Sequence, residues 1–226
     1  MKKSFYKSYI SPLFLAFFFT FVYARIIKYL ARRTFLEPLT VTLIVDLFFI
    51  IIFLLFSYLL YSLKINSIDN YNTIDSYSWI FLSVITALFT IIIEYMYYLS
   101  LNLSVNSNTI RFSNMIKMYP IKGIIGVAIL GPILEELVFR QLIFGTIYDI
   151  YCNCNRYVRF TTSLLISGLW FGVMHQVSIF SISIIPYIIF SLFFSLIYVY
   201  TKNIKSAILT HIFVNLILII LYDLKW

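Results

Sequence analysis

The stretch Gly126-Val-Ala-Ile-Leu-Gly-Pro-Ile-Leu-Glu135-Glu136-Leu-Val-Phe-Arg140-Gln-Leu-Ile-Phe-Gly145 sets two acids and a base in a run that is otherwise almost wholly apolar. About 20 mostly apolar residues are enough for a helix to cross the hydrocarbon core of a bilayer. The run therefore reads as a membrane helix. An ionisable side chain at that depth costs about 2.5–3.5 kcal/mol or more. Three within six residues point to chemistry as well as to packing.

The rest of the chain agrees with that reading. It has 226 residues, 62% of them hydrophobic and 12% charged, with a mean hydropathy of +0.95. Soluble domains carry about a quarter charged residues, so the composition excludes a water-soluble domain. Period-2 alternation is absent. In lipid every backbone group must be satisfied internally, so helices are expected and a β-barrel is not. The net charge of +8 falls in short loops and at helix ends among Tyr and Trp. Such residues anchor a protein at the head groups; no nucleic-acid motif accompanies them. Cys152 and Cys154 are separated by one residue. That spacing strains a mutual disulfide, and no second pair completes a zinc site, so free loop thiols are expected.

Seven apolar spans follow from the pattern: Tyr9–Ile27, Pro38–Leu63, Tyr77–Leu103, Ile121–Phe144, Phe160–Val177, Ser183–Tyr200 and Ala207–Tyr222. The expectation is an all-α, polytopic helical membrane protein with about seven transmembrane helices. Met-Lys-Lys and the apolar run after it resemble a signal sequence. Arg25, Lys28, Arg32 and Arg33 follow in place of a small-residue cleavage site, so a retained first helix is expected. Asn66–Ser76 and Tyr148–Arg159 read as loops, Ser104–Pro120 as an amphipathic interfacial segment, Val177–Ser183 as a tight hairpin and Lys202–Lys205 as a tight basic turn. Lys and Arg divide equally between alternate loops, so the positive-inside rule chooses no orientation. Residues 1–120 form an N-terminal membrane unit and 121–226 a unit that carries the ionisable groups.

On a helix, Glu136 and Arg140 are i, i+4 and can pair. That leaves Glu135 free to face a water-filled cavity, and a carboxylate tuned by burial and a nearby cation suits a general base. A structural charge cluster is the plainer alternative. Pro132 disturbs the turn before the acids; Gly123, Gly126 and Gly131 read as helix-packing surfaces. The only two histidines stand in later apolar runs. Phe171 and His175 lie one turn apart, as do His211 and Asn215. A buried His is most often a satisfied core residue, and His with Asn also suits interhelical bonding. An Asn amide and an imidazole can together donate to one developing oxyanion. Asp46, Glu94 and Asp149 have no partner at helical spacing. Asp46 and Glu94 read as packing or snorkelling groups, with a proton relay as the alternative.

Glu135-Glu136-x-x-x-Arg140, Phe171-x-x-x-His175 and His211-x-x-x-Asn215, in that order, resemble the CPBP family of CAAX prenyl proteases and bacteriocin-processing proteins, also called Abi. Pro132, Phe139-Arg140 and Leu169-Trp-Phe-Gly172 before Met174-His175 add to the resemblance, which covers about Ile121–Tyr222. Gln141 departs from it, since members often have Gly after the Arg. The resemblance implies intramembrane proteolysis. Glu135 would activate water, with Glu136 and Arg140 as its support pair. His175 would orient or polarise that water or protonate the leaving amine. His211 and Asn215 would form the oxyanion hole, and Phe171 a wall. No metal is favoured; zinc held by Glu135, His175 and His211 is the alternative.

The expected activity is endoproteolysis of a small peptide or membrane-associated substrate in a bacterial cytoplasmic membrane, with the lipid bilayer as the other partner. Peptide pheromones and bacteriocin precursors are the expected bacterial substrates, prenylated CAAX proteins the eukaryotic ones. A non-catalytic bacteriocin self-immunity protein is the competing reading. A proton-coupled transporter using Glu94, Glu135 and the histidines is a third, and no inverted repeat supports it.

Overall fold

A computed structural model describes residues 12–17, 51, 55, 58, 61–62, 66–68, 76–101, 107–175 and 182–223. Most of the first two expected spans, with Asp46, lies outside these residues, as do most of the loop after Asn66 and most of the hairpin after Val177. Every regular element among the described residues is helical, so the fold is that of an all-α membrane protein. Two of its helices are long and apolar enough to cross a membrane, Tyr77–Ser100 and Ile204–Leu221.

Six main helices carry the structure. Helix α1 is Ser76–Ser100 and α2 is Ser107–Met118. Helix α3 is continuous from 120 to 150 but changes its winding four times. It runs as α-helix over Pro120–Ile124, π-helix over Ile125–Leu130, α-helix over Gly131–Glu136, π-helix over Leu137–Phe144 and α-helix over Gly145–Ile150. Helix α4 is Arg156–His175. A short 3₁₀ turn, Ile182–Ile184, leads into α5, Ile185–Thr201, and α6 is Ile204–Asp223.

Helix α3 is the axis of this arrangement. Helices α4 and α6 both pack on it, α5 lies against α4 and α6, and α1 covers α5 and α6. All eight residues of Leu137–Phe144 are buried, as the central element of a bundle should be. Helix α2 meets the start of α3 closely, because a Cβ at Gly123 would lie 2.8 Å from Ile116 Cα. Gly126 faces open space, and a Cβ at Gly131 would meet only Gly126 O and Glu135. The expected packing role therefore applies to Gly123 alone.

The expected loop Tyr148–Arg159 shortens to residues 151–155. Helix α3 continues through Ile150 and α4 begins at Arg156. The charged groups that suggested a loop are paired instead: Arg159 Nη2 lies 3.1 Å from Asp149 Oδ1, and its guanidinium stacks on Tyr148 at 3.7 Å. Cys152 and Cys154 are free and exposed in this loop. The basic turn is as short as expected. Lys202 takes a left-handed conformation with φ 53° after α5, and Asn203 Oδ1 accepts from the Lys205 N–H at 3.1 Å to start α6.

Candidate active site

Helix α3 supplies the acids. Glu135 and Glu136 are the last two residues of its central α-helical segment, between the two π segments. A π turn hydrogen-bonds i to i+5 and recurs at functional sites inside α-helices. In the first one the Gly131 N–H donates to Gly126 O. The next residue is Pro132, which has no N–H to continue the ladder. In that register its partner would have been Val127 O, and this carbonyl accepts instead from Asn215 Nδ2 at 2.9 Å.

The two acids then diverge. Glu136 is fully buried, and Arg140 Nε lies 3.0 Å from its Oε2, which is the pairing that the i, i+4 spacing implied. The Arg140 guanidinium is also fully buried. It lies between two aromatic faces, 4.7 Å from the Phe171 ring and 5.3 Å from Phe194. The other Glu136 oxygen, Oε1, is 2.8 Å from His211 Nδ1. Glu135 keeps 31% of its side chain exposed, so it is the carboxylate that reaches the opening.

Both histidines come to Glu135. Its Oε2 is 3.4 Å from His175 Nε2 and 3.8 Å from His211 Nε2. His175 Nδ1 is 2.8 Å from Phe171 O. A carbonyl only accepts, so Nδ1 carries the proton. His211 Nδ1 faces a carboxylate oxygen already paired with arginine, so it donates as well. On a neutral ring, each Nε2 then has a lone pair aimed at Glu135 Oε2. Acceptors facing an acceptor need a hydrogen between them, and a water molecule or a second imidazole proton supplies one.

Aromatic rings hold the imidazoles in place. His175 stacks on Tyr187 at 4.8 Å and meets Phe171 at 4.3 Å. His211 stacks on Phe194 at 4.6 Å. Phe171 is buried at the centre of the group, with edge contacts to Phe139 at 5.0 Å and His211 at 6.1 Å.

Thus Glu135, Glu136, Arg140, Phe171, His175 and His211 form one cluster from α3, α4 and α6. Asn215 joins at its edge with one amide hydrogen given to Val127 O. Sequence reasoning missed Tyr187 and Phe194, aromatic residues in an aromatic-rich helix, and the role of Val127 O. Pro132 was the available sign for the last. Among the described residues, no three His, Cys, Asp or Glu side chains are arranged to hold a metal ion.

Similarity to known proteins falls on the same region. The chain is 36% identical over 112 residues to the membrane-embedded CAAX protease MroQ of Staphylococcus aureus (strain USA300), covering 49% of this chain and 43% of that protein. It is 30% identical over 116 residues to YdiL of Bacillus subtilis (strain 168), covering 51% of this chain and 43% of that protein. The matched region is thus less than half the length of either relative. No solved structure matches. Residues 118–217 match the family model for type II CAAX prenyl endopeptidase Rce1-like proteins, and they contain every residue of the cluster. Through this region the chain belongs to the Rce1-like family of CAAX prenyl endopeptidases.

Proposed function

We propose that the protein is a multi-pass intramembrane endopeptidase that cuts a small peptide or a membrane-associated protein with a Glu135-activated water. The carrying observation is the position of Glu135. It is the one partly exposed carboxylate of the cluster, and the Nε2 atoms of both histidines face it. Glu135 takes a proton from water as the water oxygen attacks the scissile carbonyl carbon. The carbonyl π electrons move to oxygen and give a tetrahedral oxyanion. The C–N bond then breaks, and the proton passes to the departing nitrogen by way of Glu135 or His175. The products are a carboxylate and an amine.

Two groups are positioned to stabilise the oxyanion. Asn215 retains a second amide hydrogen after bonding Val127 O. His211 donates from Nε2 only when it carries both ring protons, and Glu136 at 2.8 Å from Nδ1 balances that charge. Removing one such donor costs about 10²–10³ in rate. The Glu135, His175 and His211 donors do not close on one point as a metal group, so the steps run through side chains and water alone.

The test uses purified full-length protein in lipid nanodiscs and a quenched fluorescent peptide with a prenylated C-terminal CAAX sequence. Glu135→Gln keeps the shape and removes the base, so cleavage should fall to background with the protein folded. Full cleavage by that variant sinks the mechanism. Stoichiometric zinc in the purified protein, with activity lost on chelation, replaces it with a metallopeptidase. Protection against a bacteriocin that survives Glu135→Gln indicates a binding protein in the same fold.

A further inference from the structure

The second π segment of α3 has the same problem as the first. On leaving it, the Gly145 N–H donates to both Arg140 O and Leu142 O. The carbonyl between them, Gln141 O, is passed over. A buried carbonyl without a donor is costly. Gln141 O instead accepts from Asn66 Nδ2 at 2.9 Å, from outside the helix.

Asn66 is built into this place. It is almost fully buried, at 1% exposure. Its Oδ1 accepts from Tyr198 Oη at 3.1 Å, which fixes which way the amide points, and from the Ile68 N–H at 3.0 Å. The neighbouring Ser67 is tied to the end of α3. Its N–H donates to Asp149 Oδ2 at 2.8 Å and its hydroxyl donates to Oδ1. Position 145 is glycine for the same reason, since a Cβ there would collide with the Asn66 amide. The Glu135–Glu136 segment is therefore bracketed by two wide turns, and an asparagine from another part of the chain holds each one, Asn215 at Val127 O and Asn66 at Gln141 O.

We propose that Asn66 is a positioning residue for the acidic pair. By holding Gln141 O it keeps the second π turn open. That turn sets the position of Arg140, the adjacent residue, which anchors Glu136 and through it His211. Asn66 touches neither acid, and its effect passes through the backbone of α3. This inference rests on the reading of Glu135 and Glu136 as the working carboxylates.

Asn66→Asp is the discriminating variant. It keeps the shape and the acceptor for Tyr198 and Ile68 but cannot donate to Gln141 O as a carboxylate. Tyr198→Phe is its counterpart, which removes the bond to Oδ1 and leaves the bond to Gln141 O. With the prenylated CAAX reporter, Asn66→Asp should lower kcat about 10- to 100-fold, the scale of a small misplacement of reacting groups. KM should change by less than about twofold, because binding is not what is lost. Tyr198→Phe should stay within about threefold of the parent. Hydrogen–deuterium exchange supplies a readout that needs no substrate: amides of 137–146 should exchange faster in Asn66→Asp and not in Tyr198→Phe. Unchanged kcat in Asn66→Asp, or unchanged exchange over 137–146, overturns the proposal. Equal losses in both variants would reduce Asn66 to an anchor of its own loop and overturn it too. Should the parent protein fail to cut the reporter, the peptidase reading suffers and the exchange result still decides the role of Asn66.

Discussion

His211 Nδ1 lies 2.8 Å from Glu136 Oε1 while Arg140 Nε lies 3.0 Å from Glu136 Oε2, so one buried carboxylate holds both an imidazole and a guanidinium. The two adjacent acids should therefore fail differently. Glu136→Gln leaves a fully buried arginine without a counter-charge, and breaking a buried pair costs about 3–5 kcal/mol. It should lower both folded yield and thermal midpoint in detergent. Glu135→Gln should lower neither and should remove only cleavage. A Glu136→Gln protein as stable as the parent would contradict this assignment.

Arg140 is held by shape as well as charge. Arg140→Lys keeps the cation but loses the flat guanidinium that lies between Phe171 and Phe194. The expected loss is about 1–2 kcal/mol of stability. Denaturant unfolding in bicelles, parent against variant, measures it; a midpoint equal to that of the parent would mean that stacking contributes nothing.

His175 contributes a proton position at the edge of the site. His175→Gln should lower kcat by about 10²–10⁴-fold. The ring's packing against Tyr187 and Phe171 makes some loss of stability certain, so the comparison is made on protein that elutes as a single folded species. Retention of most of the parental kcat would remove His175 from proton transfer.

The asparagine at the first wide turn can be tested against the proline that calls for it. Asn215→Ala leaves Val127 O without a donor and should cost about 1–3 kcal/mol. In a Pro132→Ala background an N–H returns to α3, and Asn215→Ala should then cost less, by about 1 kcal/mol of coupling. Strict additivity of the two changes would show that Asn215 and Pro132 do not share a carbonyl.

Spacing made part of the site legible before the fold was known. Glu136 and Arg140 are a helical turn apart, and a local rule is enough to pair them. His211 and Glu136 are 75 residues apart, and no rule of spacing brings them together; helix packing does. The same limit applies to Asn215. Its place one turn from His211 suggested a shared oxyanion, but a carbonyl on α3 engages one of its two amide hydrogens. The helices themselves follow the apolar pattern closely, because composition dictates them. Their ends do not. Arg156 and Arg159 looked like loop residues, yet α4 begins at Arg156 because Asp149, Ser67 and Tyr148 give Arg159 its partners. Asn66 left no trace beyond a polar residue in a polar stretch, since its value lies in a carbonyl that only the wide turn exposes.

A π turn amounts to one residue more than an ordinary helix would need. Deleting one residue from Leu137–Phe144 would let the backbone relax to regular α geometry, and by local rules it would look harmless. It would also turn everything after it by about 100° around the helix axis. Gly145 would leave Asn66, and Asp149 would leave Ser67 and Arg159. The residue count of this helix is thus under tighter constraint than its composition. Apolar exchanges along it should be tolerated where single-residue insertions and deletions are not, while the exposed loop 151–155 next to it should accept both.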